Sequence, residues 1–259
     1  MLVLLPPSEG KAGDGAGAPV DLGGLSFPAL GAAREAVLDE LTALCAADEE
    51  KAREVLGLSE GLRGEVAKNA RLRSAPARPA GALYTGVLYD ALGLASLDAA
   101  ARRRARASVV VFSGLWGALR ITDRVPSYRC AAGVRLPGLG VLSAYWRAPM
   151  DEAMAEAADG QVVLDLRSSA YAAMWRPAGE VARRTVTVRV LQSRVVDGVE
   201  KRSVVSHFNK ATKGRLLRDL LTAGALPRSA AALTGALRDL GYMVEAPGPG
   251  KLDVVVTEL

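Results

Sequence analysis

Three short apolar runs constrain this chain more than anything else in it: "LVLL" at Leu2–Leu5, "SVVVFSG" at Ser108–Gly114 and "QVVLDL" at Gln161–Leu166. The first follows neither a period of 2 nor one of 3.6, and all three suit strands buried on both faces. The later two are flanked by Ala/Arg/Leu-rich stretches that read as helix. Alternating strand and helix predicts an α/β fold with some parallel pairing. Near the C-terminus, "TVTVRVLQSRVVDGVEKRSVVSHF" reads as two β-branched strands turning at Asp197-Gly198, and "YMVEAPGPGKLDVVV" repeats the pattern around a Gly/Pro turn. The sheet is therefore expected to be mixed, with an antiparallel last part, and wrapped by helices. No linker, repeat or charge block divides residues 1–259, so one domain is expected.

Half of the 259 residues are apolar, enough to bury a sizeable core. No run approaches the roughly 18 to 20 uncharged apolar residues of a membrane span, and no basic leader precedes the first strand, which predicts a cytoplasmic protein with no membrane contact. Cys45 and Cys130 are the only cysteines and His207 is the only histidine. That is too few for a disulfide scaffold or a conventional zinc or haem site, so no metal and no cofactor is assigned. Carboxylate-held magnesium or iron stays open. The net charge of +5 favours an anionic partner such as nucleic acid, nucleotide or phosphate.

The Gly-rich segment after the first strand, "SEGKAGDGAGAPVDLGG", lacks the Gly-Lys-Ser/Thr of a phosphate loop. From Phe27 to Leu72 the chain reads helical. Within it, residues 48–72 form two short helices around "GLSEGL", with Gly57 and Gly61 in the turn. This is the outline of a helix-hairpin-helix whose turn amides face a DNA phosphate, and equally that of a plain αα-hairpin.

Chemistry-bearing residues gather in three places. Ser8, Glu9 and Lys11 follow the first strand. Ser113, Arg120, Arg124, Arg129 and Arg135 follow the second, with Trp116 and Tyr128 among them, a mixture that can hold phosphates and stack rings. The third is "SVVSHFNKATKGRLLRDLL", in which Lys210 and Lys213 share a helix face and Gly214 would let an anionic ligand come close. His207 is expected at the end of a strand, sharing a face with Val205, and reads first as a structural histidine. Ser8, Ser113 and Cys130 are available nucleophiles, none in a Gly-x-Ser-x-Gly elbow. Each cluster follows an expected strand, so all three are expected at one cleft.

Five of these stretches and two more carry a family resemblance: "MLVLLPPSEGK", "LYTGVLYDAL", "FSGLWGALRITDRVPSYRCAAGVRL", "LSAYW", "VVLDLRSSAYAAMWRP", the Ser206–Arg218 pattern and "GYMVE". In this order they make the chain resemble the peroxide stress protein YaaA family. The resemblance implies one α/β domain with a helix-hairpin-helix beside a basic cleft, DNA binding of little sequence preference, and a role in limiting peroxide and iron damage to DNA. Carried over, it marks Tyr84, Thr85 and Gly86, then Ser113, Gly114, Gly117, Leu119, Arg120, Tyr128 and Arg129, and finally Lys210, Lys213 and Gly214. The chain departs from the family's Ser-Pro-Ala-Lys start, and Cys130 and His207 stand where an aliphatic and an aromatic residue are expected.

Two readings follow. In one, Lys11, Tyr84, Ser113, Arg120, Tyr128, Arg129, Lys210, Lys213 and Gly214 bind DNA phosphates without sequence preference. In the other, the same basic residues hold a nucleoside, nucleotide or other small anionic substrate, and Ser8, Glu9, Lys11, Cys130, Asp165 or His207 supplies acid, base or nucleophile.

Overall fold

The three apolar runs form adjacent strands at the middle of an eight-stranded sheet. The structure is a computed structural model that describes residues 1–196, 199–204 and 206–257, with backbone only for residues 195, 196, 199 and 206–208. Strand β1 is Leu2–Leu5, β2 Val109–Ser113, β3 Gly117–Arg120, β4 Val163–Asp165, β5 Thr185–Val196, β6 Val199–Ser203, β7 Met243–Gly248 and β8 Lys251–Val256. Their order is β7-β8-β5-β4-β1-β2-β3, with β6 also paired to β5. Strand β1 is parallel to both β2 and β4, in register Leu5 to Val111 on one side and Leu4 to Asp165 on the other. Leu2–Leu5 and Val109–Phe112 are wholly buried, as strands covered on both faces must be.

The sheet is mixed, as expected, but its C-terminal part is not simply antiparallel. Strands β7 and β8 form an antiparallel hairpin, and β8 then joins β5 in parallel. Strands β5 and β6 pair antiparallel from Val196 and Val199 onward. The two-residue spacing fits the expected hairpin, whose Asp197-Gly198 turn lies outside the described residues.

Helices α1 (Gly31–Ala47), α2 (Glu49–Leu56), α3 (Gly64–Ala70), α4 (Val87–Leu92) and α5 (Ala99–Ser108) lie between β1 and β2. Helix α6 (Arg147–Ala158) precedes β4, while α7 (Ser206–Ala223) and α8 (Ala230–Asp239) separate β6 from β7. The helical reading of Phe27–Leu72 holds in outline. Leu38, Leu41 and Cys45 are buried along α1, and Arg34 is fully buried with them. Arg34 donates to the carbonyls of Ser26, Trp116 and Ala118 at 2.8, 3.0 and 2.7 Å, which ties α1 to the β2–β3 connection.

Helices α2 and α3 have the outline of the expected hairpin. The first two amides of its turn are already used: Gly57 N–H donates to the Arg53 and Glu54 carbonyls, and Leu58 N–H to Arg53 at 2.9 Å. This is a helix C-cap that satisfies itself.

Two expectations about α7 are corrected. His207 does not end a strand, because β6 stops at Ser203 and the backbone is helical from Ser206. Val204 and Val205 continue the β-branched pattern of β6 in the sequence, so nothing there marks where the strand ends. Nor does Gly214 leave room for a ligand. A Cβ there would stand 2.2 Å from the Leu88 carbonyl oxygen and 2.9 Å from the Ala91 Cβ, so the glycine lets α7 lie directly on α4. Leu216, Leu217, Leu220 and Leu221 are all buried beyond it.

Gly214→Ala is therefore expected to destabilise the fold by about 1–3 kcal/mol through overpacking. In a chain of this size that lowers the thermal midpoint by about 2–4 °C per kcal/mol. An unchanged midpoint would show that the close α4–α7 approach is wrong.

Candidate functional site

Strands β1, β2 and β4 are neighbours running the same way, so their C-terminal ends open on one edge of the sheet. With β1 between the other two, the chain departs to opposite sides there, and such a switch point leaves a crevice in which α/β proteins bind ligands. Pro6–Lys11 leaves β1 at this edge, Ser113 ends β2, and Asp165–Ser168 leaves β4. Helix α7 brings Lys210 and Lys213.

The innermost layer is a chain of hydroxyls. Ser113 Oγ lies 2.6 Å from the Tyr128 hydroxyl and accepts from the Trp116 amide at 3.0 Å, while the Tyr128 hydroxyl lies 2.9 Å from that of Tyr84. All three residues are buried. Burial pushes the Tyr84 phenol up to about 12 and that of Tyr128 well above its ordinary value, so both are neutral donors.

Lys11 lies across this chain. Its Nζ is 4.5 Å from the Tyr128 ring centre and 5.7 Å from that of Tyr84, and it donates to the Ser8 carbonyl at 2.9 Å. Backbone pairing with Tyr84 holds the segment in place. Burial lowers the Lys11 pKa to about 8, against the opposing pull of Glu9. The amine is thus partly neutral near physiological pH, as an acid–base or nucleophilic lysine must be.

A cavity of about 370 Å³ opens beside this layer, lined by Pro6, Pro7, Ser8, Glu9, Gly86, Val87, Leu88, Tyr89, Ser168, Tyr171 and Lys210. Tyr89 donates its hydroxyl to the Pro6 carbonyl at 2.7 Å, which fixes one wall. Lys11 is not itself a wall; it meets the cavity through Ser8. Glu9 is paired with Arg129, Nη2 to Oε2 at 3.1 Å, and Arg129 Nη1 also donates to the Glu9 carbonyl at 3.1 Å. Asn69, fully buried, accepts from the Arg129 amide at 2.9 Å and donates to its carbonyl at 2.8 Å.

The structure thus gathers Ser8, Glu9, Lys11, Tyr84, Ser113, Tyr128, Arg129, Lys210 and Lys213 at one edge. Lys210 is exposed and lines the cavity. Lys213 is buried, with its Nζ donating to the Leu166 carbonyl at 3.2 Å, and burial lowers its pKa. The remaining candidates have other duties. Asp165 is locked in a buried bidentate pair with Arg167 at 2.9 and 2.6 Å, and the guanidinium lies 4.3 Å from the Phe112 ring centre. Removing Asp165 from that pair would leave the Arg167 cation buried and uncompensated, which makes Asp165 a poor choice of base. Cys130 is buried and its thiol is pushed up to about 12 by desolvation, so it is no thiolate nucleophile. Arg120 is not in the cleft: it donates to Ala107 at 2.9 Å and stacks over Phe27, because β3 runs antiparallel and carries it to the other end of the sheet. The side chain of His207 lies outside the described residues.

Asn69, Tyr89 and Tyr171 were not singled out from the sequence. The tyrosines stand inside two of the resemblance motifs, a signal that could have found them; nothing in the sequence around Asn69 marks it. Among the described residues, no group of three or more His, Cys, Asp or Glu could hold a metal ion. None of their helices is long and apolar enough to cross a membrane.

The profile of a family described as "Peroxide stress protein YaaA" matches residues 1–247. A UPF0246 protein of Streptomyces coelicolor is 67% identical, over 100% of both chains. UPF0246 proteins of Corynebacterium efficiens and Corynebacterium glutamicum are 42% and 39% identical, each over 95% of both chains.

Lys11 is expected to titrate near pH 8 rather than 10.5. Between these values the unfolded chain holds the proton and the folded one does not, so the stability cost of Lys11 is full below pH 8 and is lifted as pH rises toward 10.5. The stability difference between Lys11→Met and wild type should shrink across that window, as read by denaturant titration, and a pH-independent difference would refute the shift. Ser113→Ala removes the acceptor of the Trp116 amide and a partner of Tyr128. About 1–3 kcal/mol of destabilisation is expected in the same measurement.

Proposed function

Because the chain belongs to the peroxide stress protein YaaA family, we propose that it serves the peroxide response by acting on a small anionic molecule bound at the strand-end cavity. The observation that carries this reading is the cavity itself, with two tyrosines, Val87 and Leu88 along its walls and Lys210 beside them. Its apolar walls suit a flat or ring-bearing body, and its ammonium suits a phosphate or carboxylate. Lys11, titrating near neutrality behind Ser8, is the group suited to proton transfer or to attack on an electrophilic carbon.

Non-specific DNA binding is the second reading, favoured by the net charge of +5. The hairpin at residues 48–72 gives it little support, for it carries six acidic residues against five basic ones. Arg63 within it is paired with Glu49, Glu50 and Glu60. A phosphate approaching there would meet the carboxylates of Glu49, Glu50 and Glu60.

Calorimetric titration with phenyl phosphate, a ring carrying one anion, separates the readings. Measurable binding is expected, weakened about tenfold in both Lys210→Ala and Tyr171→Ala. Binding of duplex DNA that falls steeply with salt and is lost in Lys210→Ala, without any phenyl phosphate binding, would decide for the DNA reading.

A further inference from the structure

Resting on the reading that the cavity takes a small anion, we infer that Arg129 receives that anion and that Glu9 is an internal stand-in which the ligand's carboxylate or phosphate displaces. Arg129 is prepared for the task. Asn69 holds both its backbone N–H and C=O, so the guanidinium projects from a fixed point. Both contacts that the structure gives its side chain go to Glu9, one to the main-chain carbonyl and one to a single carboxylate oxygen. A fork of five donors meeting one carboxylate oxygen is underused, since a carboxylate or phosphate can take two parallel N–H bonds from it.

Glu9 is built to yield. Its side chain is 61% exposed, and an exposed single-point ion pair is weakly held. Its main chain is fixed independently: the Gly10 carbonyl accepts from Thr85 at 3.1 Å, the Ala12 amide donates to Leu83 at 2.8 Å, and Arg129 holds the Glu9 carbonyl. Displacement therefore moves only the carboxylate. Glu9 and Lys210 both line the cavity, so withdrawal of the Glu9 carboxylate exposes to that wall the guanidinium it holds. With Glu9 in place the wall carries one carboxylate and one ammonium. With a ligand anion in its stead, one negative group faces two positive ones, and a cationic ligand is rejected. Glu9 and Arg129 thereby set the ligand class as ring-bearing carboxylates and phosphates.

The test is calorimetric titration of phenyl phosphate and benzylamine into wild type, Glu9→Gln, Arg129→Met and Lys210→Ala, each checked for folding by circular dichroism. Removing the internal competitor should tighten phenyl phosphate binding by Glu9→Gln about tenfold; Arg129→Met should weaken it at least tenfold; benzylamine should bind none of them. Unchanged or weaker phenyl phosphate binding by Glu9→Gln overturns the stand-in role, and if Lys210→Ala still weakens binding, the small-anion cavity survives that result. Benzylamine binding that depends on Glu9 would make Glu9 a ligand contact and overturn the inference as well. If phenyl phosphate binds neither wild type nor Glu9→Gln, the inference and the cavity reading fall together.

Discussion

The site depends on where β1 is made to stop. Its four residues are fully buried and hydrogen-bonded to parallel neighbours on both sides, so nothing in its packing would end it. Pro6 and Pro7 end it, because neither has an N–H to give a neighbouring strand. The chain must then leave the sheet while β2 runs on to Ser113 and β4 to Asp165. The gap is filled by Pro6–Lys11 and by groups that answer the carbonyls left behind. Tyr89 takes the Pro6 carbonyl, Lys11 takes that of Ser8, and Arg129 takes that of Glu9. The candidate residues Lys11 and Arg129 are thus also ones that satisfy a strand end which the sheet cannot.

This double duty explains why several polar groups beneath the cavity are already engaged. Arg167 spends its donors on Asp165 and on the Tyr171 and Trp175 carbonyls, and lies against Phe112. Breaking such a buried pair strands a charge in a medium that solvates it poorly, which makes Asp165 and Arg167 supports of the site rather than its reagents. The hydroxyls of Ser113, Tyr128 and Tyr84 are likewise engaged with one another. Lys11 is different. One hydrogen bond and two aromatic faces compensate its burial incompletely, and its lowered pKa is the result.

The three central strands of the sheet were legible because a strand buried on both faces needs an uninterrupted apolar run, and Leu2–Leu5, Val109–Phe112 and Val162–Leu164 supply one each; β3 (Gly117–Arg120), four residues with an arginine at its end, gave no such run. The two hairpins were legible from turn chemistry. The start of α7 was not, since Val204 and Val205 read in the sequence as more of β6. Gly214 was misread because a glycine for a ligand and a glycine for a neighbouring helix look the same until the Leu88 carbonyl is seen. Arg120 and Arg129 stand nine residues apart in one motif, yet the antiparallel β3 sends the first away from the edge to which the chain then returns with the second. Spacing records composition of a motif, and only strand direction says which end of the sheet each residue reaches.

The same logic bears on what a net charge of +5 can mean. Charge summed over a chain steers polyanions only where it is left uncompensated and gathered on one surface. Ion pairs cancel before that sum is taken, so the excess lies in the cations left outside such pairs. Arg34 and Lys213 are buried on backbone carbonyls, while Arg167 in the core and Arg63 and Arg73 on the surface are paired with acids. At the strand-end cavity the balance is local: Lys210 is exposed, Arg129 is held by a carboxylate that solvent already reaches, and Lys11 sits close to its own titration point. A long polyanion would need many such cations in a row. One small anion needs only the few that this edge holds, and the tyrosine walls beside them give the rest of such a molecule a place to lie.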